Sequence, residues 1–252
     1  MNHELIPLFV AIPLGSAFIV SLLGKKLRGF ADTFSNLATF SLFSLSLLSF
    51  LLTKRLGTIV YKVGGWIPPI GICMVLDSLT SFMLVTINLV AFLATIYSIS
   101  YMEKYTAKWK FYTLFLLMLA GMDGVIVTGD MFNLFVFLEI GAISSYALVA
   151  FGVEHEELEA SFKYTVMGSI ASSFILLGIA LLYSYTSSLN MADISRTLAQ
   201  RGNGQIVFFV SVLFLMGFGL KAALVPFHAW LPDAHPSAPA PISAMLSGVL
   251  IK

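Results

Sequence analysis

The sequence predicts an all-α fold, a polytopic transmembrane bundle of about eight helices, and three observations lead there. Of its 252 residues, 58% are hydrophobic and only 11% are charged. The mean hydropathy is +0.93. Apolar runs of about 20 residues, enough to cross a bilayer core at about 1.5 Å per residue, recur along the chain. A soluble domain carries roughly 25% charged residues, so charge this sparse cannot cover a soluble surface, and a soluble globular enzyme is excluded. The 22 Phe, with abundant Leu, Ile and Val, exclude disorder. A net charge of +1 leaves no nucleic-acid footprint. The single cysteine, Cys73, excludes a disulfide framework and any Cys-based zinc or iron–sulfur site.

The first span is expected at 5–23; with Pro7 and Pro13 inside it and no basic leader region, it reads as a retained helix. The second follows at 34–52. The third is placed at 78–101 with Asp77 as its N-cap. The fourth is placed at 111–128, Gly129-Asp130 is a turn, and the fifth covers 131–151. The sixth, 161–185, is entered through Glu154, Glu156, Glu157 and Glu159. The seventh begins near Gln205 and the eighth near Pro241. Between spans two and three, alternation around Gly64-Gly65 reads as an extramembrane β-hairpin over 58–74, with an irregular loop as the alternative. Trp66 is expected at headgroup level. The domain division is then 1–110, three N-terminal helices with the hairpin loop, and 111–252, the remaining helices. Lys25, Lys26 and Arg28 in the first loop, and Lys104, Lys108 and Lys110 in the third, put those loops on the cytoplasmic side and the N-terminus outside.

Three ionisable residues fall where the chain should be apolar. Glu139 lies mid-span five, Lys221 lies inside span seven, and Lys252 follows an apolar run in span eight. A charge at the bilayer centre costs about 2.5–3.5 kcal/mol on insertion scales, so these groups must face one another or water. One reading is a structural pair of Glu139 with Lys221. A buried ion pair adds little stability over apolar packing, however. The other reading is a proton path: an ammonium in an apolar site holds its proton less firmly, and a carboxylate moving toward or away from it loads or releases that proton. Pro226 interrupts span seven and removes the helical donor to Ala222, predicting a broken helix beside Lys221. Broken helices at membrane depth line protein-buried or wet cavities. Asp123 in span four is either a polar pathway residue or a helix-end residue. Lys163 reads as an interfacial i,i+4 partner of Glu159, or as a proton-access group. His228, Asp233 and His235 match no zinc spacing, so His228 and His235 are kept as proton-transfer or loop residues and no metal is assigned. No haem, quinone or other cofactor site is read from the sequence.

Two long motifs then point to a family. The stretch Thr128-Gly129-Asp130-Met131-Phe132-Asn133-Leu134-Phe135-Val136-Phe137-Leu138-Glu139-Ile140 resembles the fifth-helix motif of antiporter-like subunits. So does Leu220-Lys221-Ala222-Ala223-Leu224-Val225-Pro226-Phe227-His228-Ala229-Trp230-Leu231-Pro232-Asp233-Ala234-His235, with its continuation to Lys252. The family comprises D-type subunits of Mrp cation/proton antiporters, matching subunits of membrane-bound hydrogenases, and the proton-pumping subunits of complex I. The resemblance implies that Glu139 stands at the mouth of a lateral proton path facing a neighbouring subunit. It implies that Lys221 is its switching partner on the broken helix, and that Lys252 passes protons toward a second half. It also implies that 111–252 is the first of two inverted five-helix repeats. A stop at Lys252, part way through the eighth helix, gives the expectation of a fragment, a split gene product or an incompletely defined sequence.

The expected function is a proton-translocating subunit, moving H+ alone or H+ against Na+, within a multisubunit complex of a prokaryotic cell (cytoplasmic) membrane. Its partners are other membrane subunits, the transported ions and the lipid bilayer, with no nucleic acid, and no catalytic chemistry is placed on the chain. The alternative is a structural subunit that docks its neighbours without conducting protons.

Overall fold

The computed structural model describes residues 2–27, 29–105, 107–202 and 204–251. The chain runs through α1 (Leu8–Leu23), α2 (Phe30–Leu56), β1 (Ile59–Lys62), β2 (Cys73–Leu76), α3 (Ser78–Tyr101), α4 (Lys108–Val127) and α5 (Met131–Val149). It continues with α6 (His155–Thr186), α7 (Met191–Arg201), α8 (Gln205–Lys221), α9 (Leu231–Ser237) and α10 (Ala240–Met245), which passes into a π-helical turn over Leu246–Leu250. Helices α2 to α6 are long and apolar enough to cross a membrane, and Leu8–Leu23, Gln205–Lys221 and Ala240–Leu250 are shorter apolar helices.

Helix α4 is the centre of the bundle. It is buried on every side, through Phe111, Phe115, Leu116, Leu119 and Met122, and it packs against α1, α2, α3 and α5. The α4–α5 approach is close because two glycines meet there: a Cβ on Gly121 would lie 2.5 Å from the Gly141 amide nitrogen. Small residues of this kind let membrane helices pack backbone to backbone. The outer helices turn apolar side chains outward, among them Phe18, Leu37, Leu79, Phe162, Phe208 and Leu215, as a lipid-facing surface requires.

Local chemistry accounts for the element ends. Asp77 caps α3, its carboxylate accepting from the Thr80 amide at 2.8 Å. The acidic stretch before span six is itself helical: α6 begins at His155 with a capping box between Glu154 and Glu157, so this helix starts earlier than 161. Carboxylates in a first turn favour the positive end of the helix dipole. In the hairpin region β1 pairs antiparallel with β2, from Ile59 opposite Leu76 to Lys62 opposite Cys73. Gly64-Gly65 is therefore not a two-residue turn between strands, and a longer connection carrying exposed Trp66 joins them.

Two features differ from the expectation. Helix α7 lies in what reads as a connection between spans six and seven. It is short and amphipathic, with Asn190 as N-cap accepting from the Ala192 and Asp193 amides at 3.1 and 3.2 Å. The break in span seven also comes earlier than Pro226. Helix α8 ends at Lys221, Ala223 takes a positive φ of 50°, and the Leu224 amide reaches back to the Gly219 carbonyl at 2.9 Å. Pro226 thus sits inside the break rather than at its start. The helix ends where a left-handed residue lets the chain fold back over the last carbonyls.

Candidate functional site

Helix α5 is aimed by the turn that precedes it. Asp130 accepts from the Asn133 amide at 2.9 Å, and Asn133 Nδ2 donates to Thr128 Oγ1 at 3.1 Å. The turn is held from outside as well: the Gly129 amide donates to the Cys73 carbonyl at 2.9 Å and the Met131 amide to the Leu189 carbonyl at 2.9 Å. Burial pushes the Asp130 carboxyl above the usual carboxylate range, and the Asn133 and Phe132 amides pull it back. Much of the Thr128–Asn133 motif is thus helix-capping machinery that orients the residues behind it.

Glu139 projects from the middle of α5. Its Oε1 accepts from Lys221 Nζ at 3.2 Å and also from the hydroxyl of Ser172 on α6. The side chains are only 16% exposed for Lys221 and 28% for Glu139, so the pair is mostly shielded from solvent. Ser172 also bonds the Gly168 carbonyl at 2.9 Å. Its single proton serves one acceptor at a time, so the carboxylate competes with the helix backbone for it. Ser172 is absent from the sequence-predicted site. Serines in apolar helices ordinarily bond back to their own backbone, and nothing in its spacing separates it from Ser169 or Ser173.

Lys221 is the last residue of α8, beside the break. The Leu220 carbonyl, freed there, accepts from Trp230 Nε1 at 2.9 Å and from the Ala223 amide at 3.2 Å. Trp230 stacks on Tyr164 with ring centroids 4.2 Å apart, and Tyr164 meets Tyr146 edge-on at 4.5 Å. Trp230 therefore pins the broken segment against α5 and α6. A cavity of about 330 Å³ opens alongside, with Lys221, Tyr146 and Tyr164 on its otherwise apolar wall of Ile87, Phe137 and Trp230.

The other predicted residues are dispersed. Lys163 bonds Glu159 at 2.9 Å, the i,i+4 partner, and also Asp233 of α9 at 2.7 Å, all three about half-exposed. His235 Nδ1 meets the hydroxyl of Ser243, tying α9 to α10. His228 is exposed in the broken segment. Among the described residues neither histidine bonds Glu139 or Lys221. Asp123 is fully buried in α4, and its Oδ1 accepts from Asn88 of α3 at 3.1 Å. Lys252 lies outside the described residues.

Comparison with known proteins identifies the family of the chain. Residues 128–252 match the family described as NADH:quinone oxidoreductase/Mrp antiporter, TM, and residues 66–112 match that of NADH-Ubiquinone oxidoreductase (complex I), chain 5 N-terminus. The N-type subunit of the NADH-quinone oxidoreductase of Desulforudis audaxviator is 41% identical over 194 residues, covering 76% of this chain and 38% of that protein. The D-type subunit of the Na(+)/H(+) antiporter of Bacillus subtilis is 33% identical over 254 residues, covering all of this chain and 50% of that protein. A chain in the membrane-bound sulfane sulfur reductase, an archaeal respiratory membrane complex, superposes with a TM-score of 0.93 at 38% identity, over 98% of this chain and 50% of that one. The chain spans about half the length of the relatives it matches, from 38% to 50% in these three. With two membrane-subunit motifs, an apolar helical bundle and these matches in hand, the chain is an integral membrane protein of the antiporter-like subunit family shared by Mrp antiporters and complex I.

Proposed function

We propose that the chain conducts protons within a multisubunit complex of a prokaryotic cell membrane, alone or in exchange for Na+, using Glu139 and Lys221 as the switching pair. One observation carries this reading: a carboxylate and an ammonium 3.2 Å apart, largely shielded from solvent, at a helix break beside a cavity. While Glu139 stays close, it holds the charge on Lys221. When the carboxylate turns away, the ammonium loses its partner in an apolar site and gives up its proton. Lys221 can answer such a movement because it ends its helix. The cavity is large enough for several waters, and its polar points are few, so water entering it would run between Lys221 and the tyrosines. Lys252 is the next relay group in this proposal, Lys163 and Asp233 stand at an access point, and residues 111–252 form the first five-helix repeat.

The test is proton uptake by inverted vesicles containing the complex. Glu139→Ala and Lys221→Ala are each expected to abolish coupled uptake while blue-native gels show the complex assembled. Unchanged uptake in either variant counts against the assignment, and lost assembly with residual flux supports the docking role instead.

A further inference from the structure

The fully buried Asp123 and Asn88, both 0% exposed, contain a mismatch that the Glu139–Lys221 pair leaves untouched. Asn88 Nδ2 uses one proton on the Leu84 carbonyl at 2.9 Å and the other on Asp123 Oδ1 at 3.1 Å. The amide orientation is thereby settled, because turning it over would set its oxygen against two other acceptors. The remaining oxygens, Asn88 Oδ1 and Asp123 Oδ2, are buried and have no partner among the described residues. Each of the two groups, already joined by one hydrogen bond, thus keeps one unpaired oxygen in a buried site.

Among the described residues, no cation on the surrounding elements is placed to repair this. The charged groups on α4 and on the helices packed against it are Lys108 and Lys110, then Asp32, Lys54 and Arg55 of α2, and Glu139 of α5. Lys108 is engaged by Asp32 and Glu139 by Lys221. The titratable neutral groups nearby are Tyr112 of α4, Tyr97 and Tyr101 of α3, Tyr146 of α5 and Cys73 of β2. None of these bonds Asp123 among the described residues, where Asn88 is its one hydrogen-bond partner. An ionised carboxylate with one neutral donor is unstable in such surroundings.

We infer that Asp123 is a proton-binding site, occupied at neutral pH, whose proton lies between Asp123 Oδ2 and Asn88 Oδ1 and closes an acid–amide ring between α3 and α4. One proton satisfies both orphaned acceptors, and the ring joins the two helices by a reciprocal pair of bonds. Among the described residues Asp123 and Asn88 share no hydrogen bond with Glu139 or Lys221, so in this inference their proton is held separately from the one that pair exchanges.

Infrared spectroscopy of membranes containing the full complex tests the site. At pH 7 the wild type is expected to show a protonated-carboxyl C=O band that is lost in Asp123→Asn. In Asn88→Leu the same band shifts to higher frequency, because both of its hydrogen bonds are gone. Coincident spectra of wild type and Asp123→Asn overturn the inference. A band that disappears when K+ is replaced by Na+ overturns it too, showing that a metal cation takes the position. If Asp123→Asn fails to accumulate, the Asn88→Leu spectrum decides, and an unmoved band is a negative result.

Discussion

Lys221 and arginine differ in one respect that separates conduction from mere pairing. A guanidinium keeps its charge at any physiological pH, whereas a lysine ammonium can be emptied. Lys221→Arg is therefore expected to keep the bond to Glu139 and the assembled complex, yet reduce proton uptake to the level of Lys221→Ala. Uptake near wild type would show that charge alone suffices. Ser172 offers a finer probe. A hydrogen bond to a charged group contributes about 1.5–3 kcal/mol, so Ser172→Ala should slow uptake by roughly tenfold to a hundredfold, with Ser172→Thr keeping most of the wild-type rate. At this scale the sequence displays the ionisable members of the site plainly, since a charge in an apolar run is conspicuous. It conceals Ser172, a common hydroxyl, and shows Trp230 only as one member of a motif; the role of each arises when α6 and the broken segment come together.

The helices themselves are legible to the extent that their ends carry chemistry. Helix α3 begins and ends where Asp77 and its apolar run predict, because a side-chain cap marks the boundary. Helix α7 is too short and too polar to register as a span, although Asn190 followed by Ile194 and Leu198 is an amphipathic start. The break illustrates a different limit. Proline announces that a helix cannot continue, but the chain had already left the helix at Ala222–Ala223, where no residue type forbids it. Capping is testable directly. Asp130→Ala removes the acceptor for the Asn133 amide and should lower the stability of the detergent-solubilised protein by about 1 kcal/mol, measured by thermal unfolding. Stability equal to wild type would mean that the backbone bonds from Cys73 and Leu189 hold the turn unaided.

For the molecule as a whole, composition is enough to recognise a membrane bundle, because lipid rewards the same residues everywhere. For the same reason composition cannot say which helix is central. A phenylalanine facing lipid and one facing protein read alike. The central place of α4 becomes visible only in small residues such as Gly121, where backbones touch. Gly121→Leu is expected to drive α4 from α5 at a cost of about 1–3 kcal/mol or more, and to abolish accumulation of the protein in membranes on immunoblots. Normal accumulation would show that the contact can be opened without harm.

The position of Lys221 at the very tail of α8 has an effect independent of Glu139. Aligned peptide groups leave a fractional negative pole at that end of a helix, which favours a neighbouring cation by about 0.3–2 kcal/mol. When the carboxylate swings off, the ammonium is left resting on this fixed pole instead of standing alone. The pole adds to the hold on the proton whether the carboxylate is near or far, so Lys221 empties only when Glu139 withdraws fully.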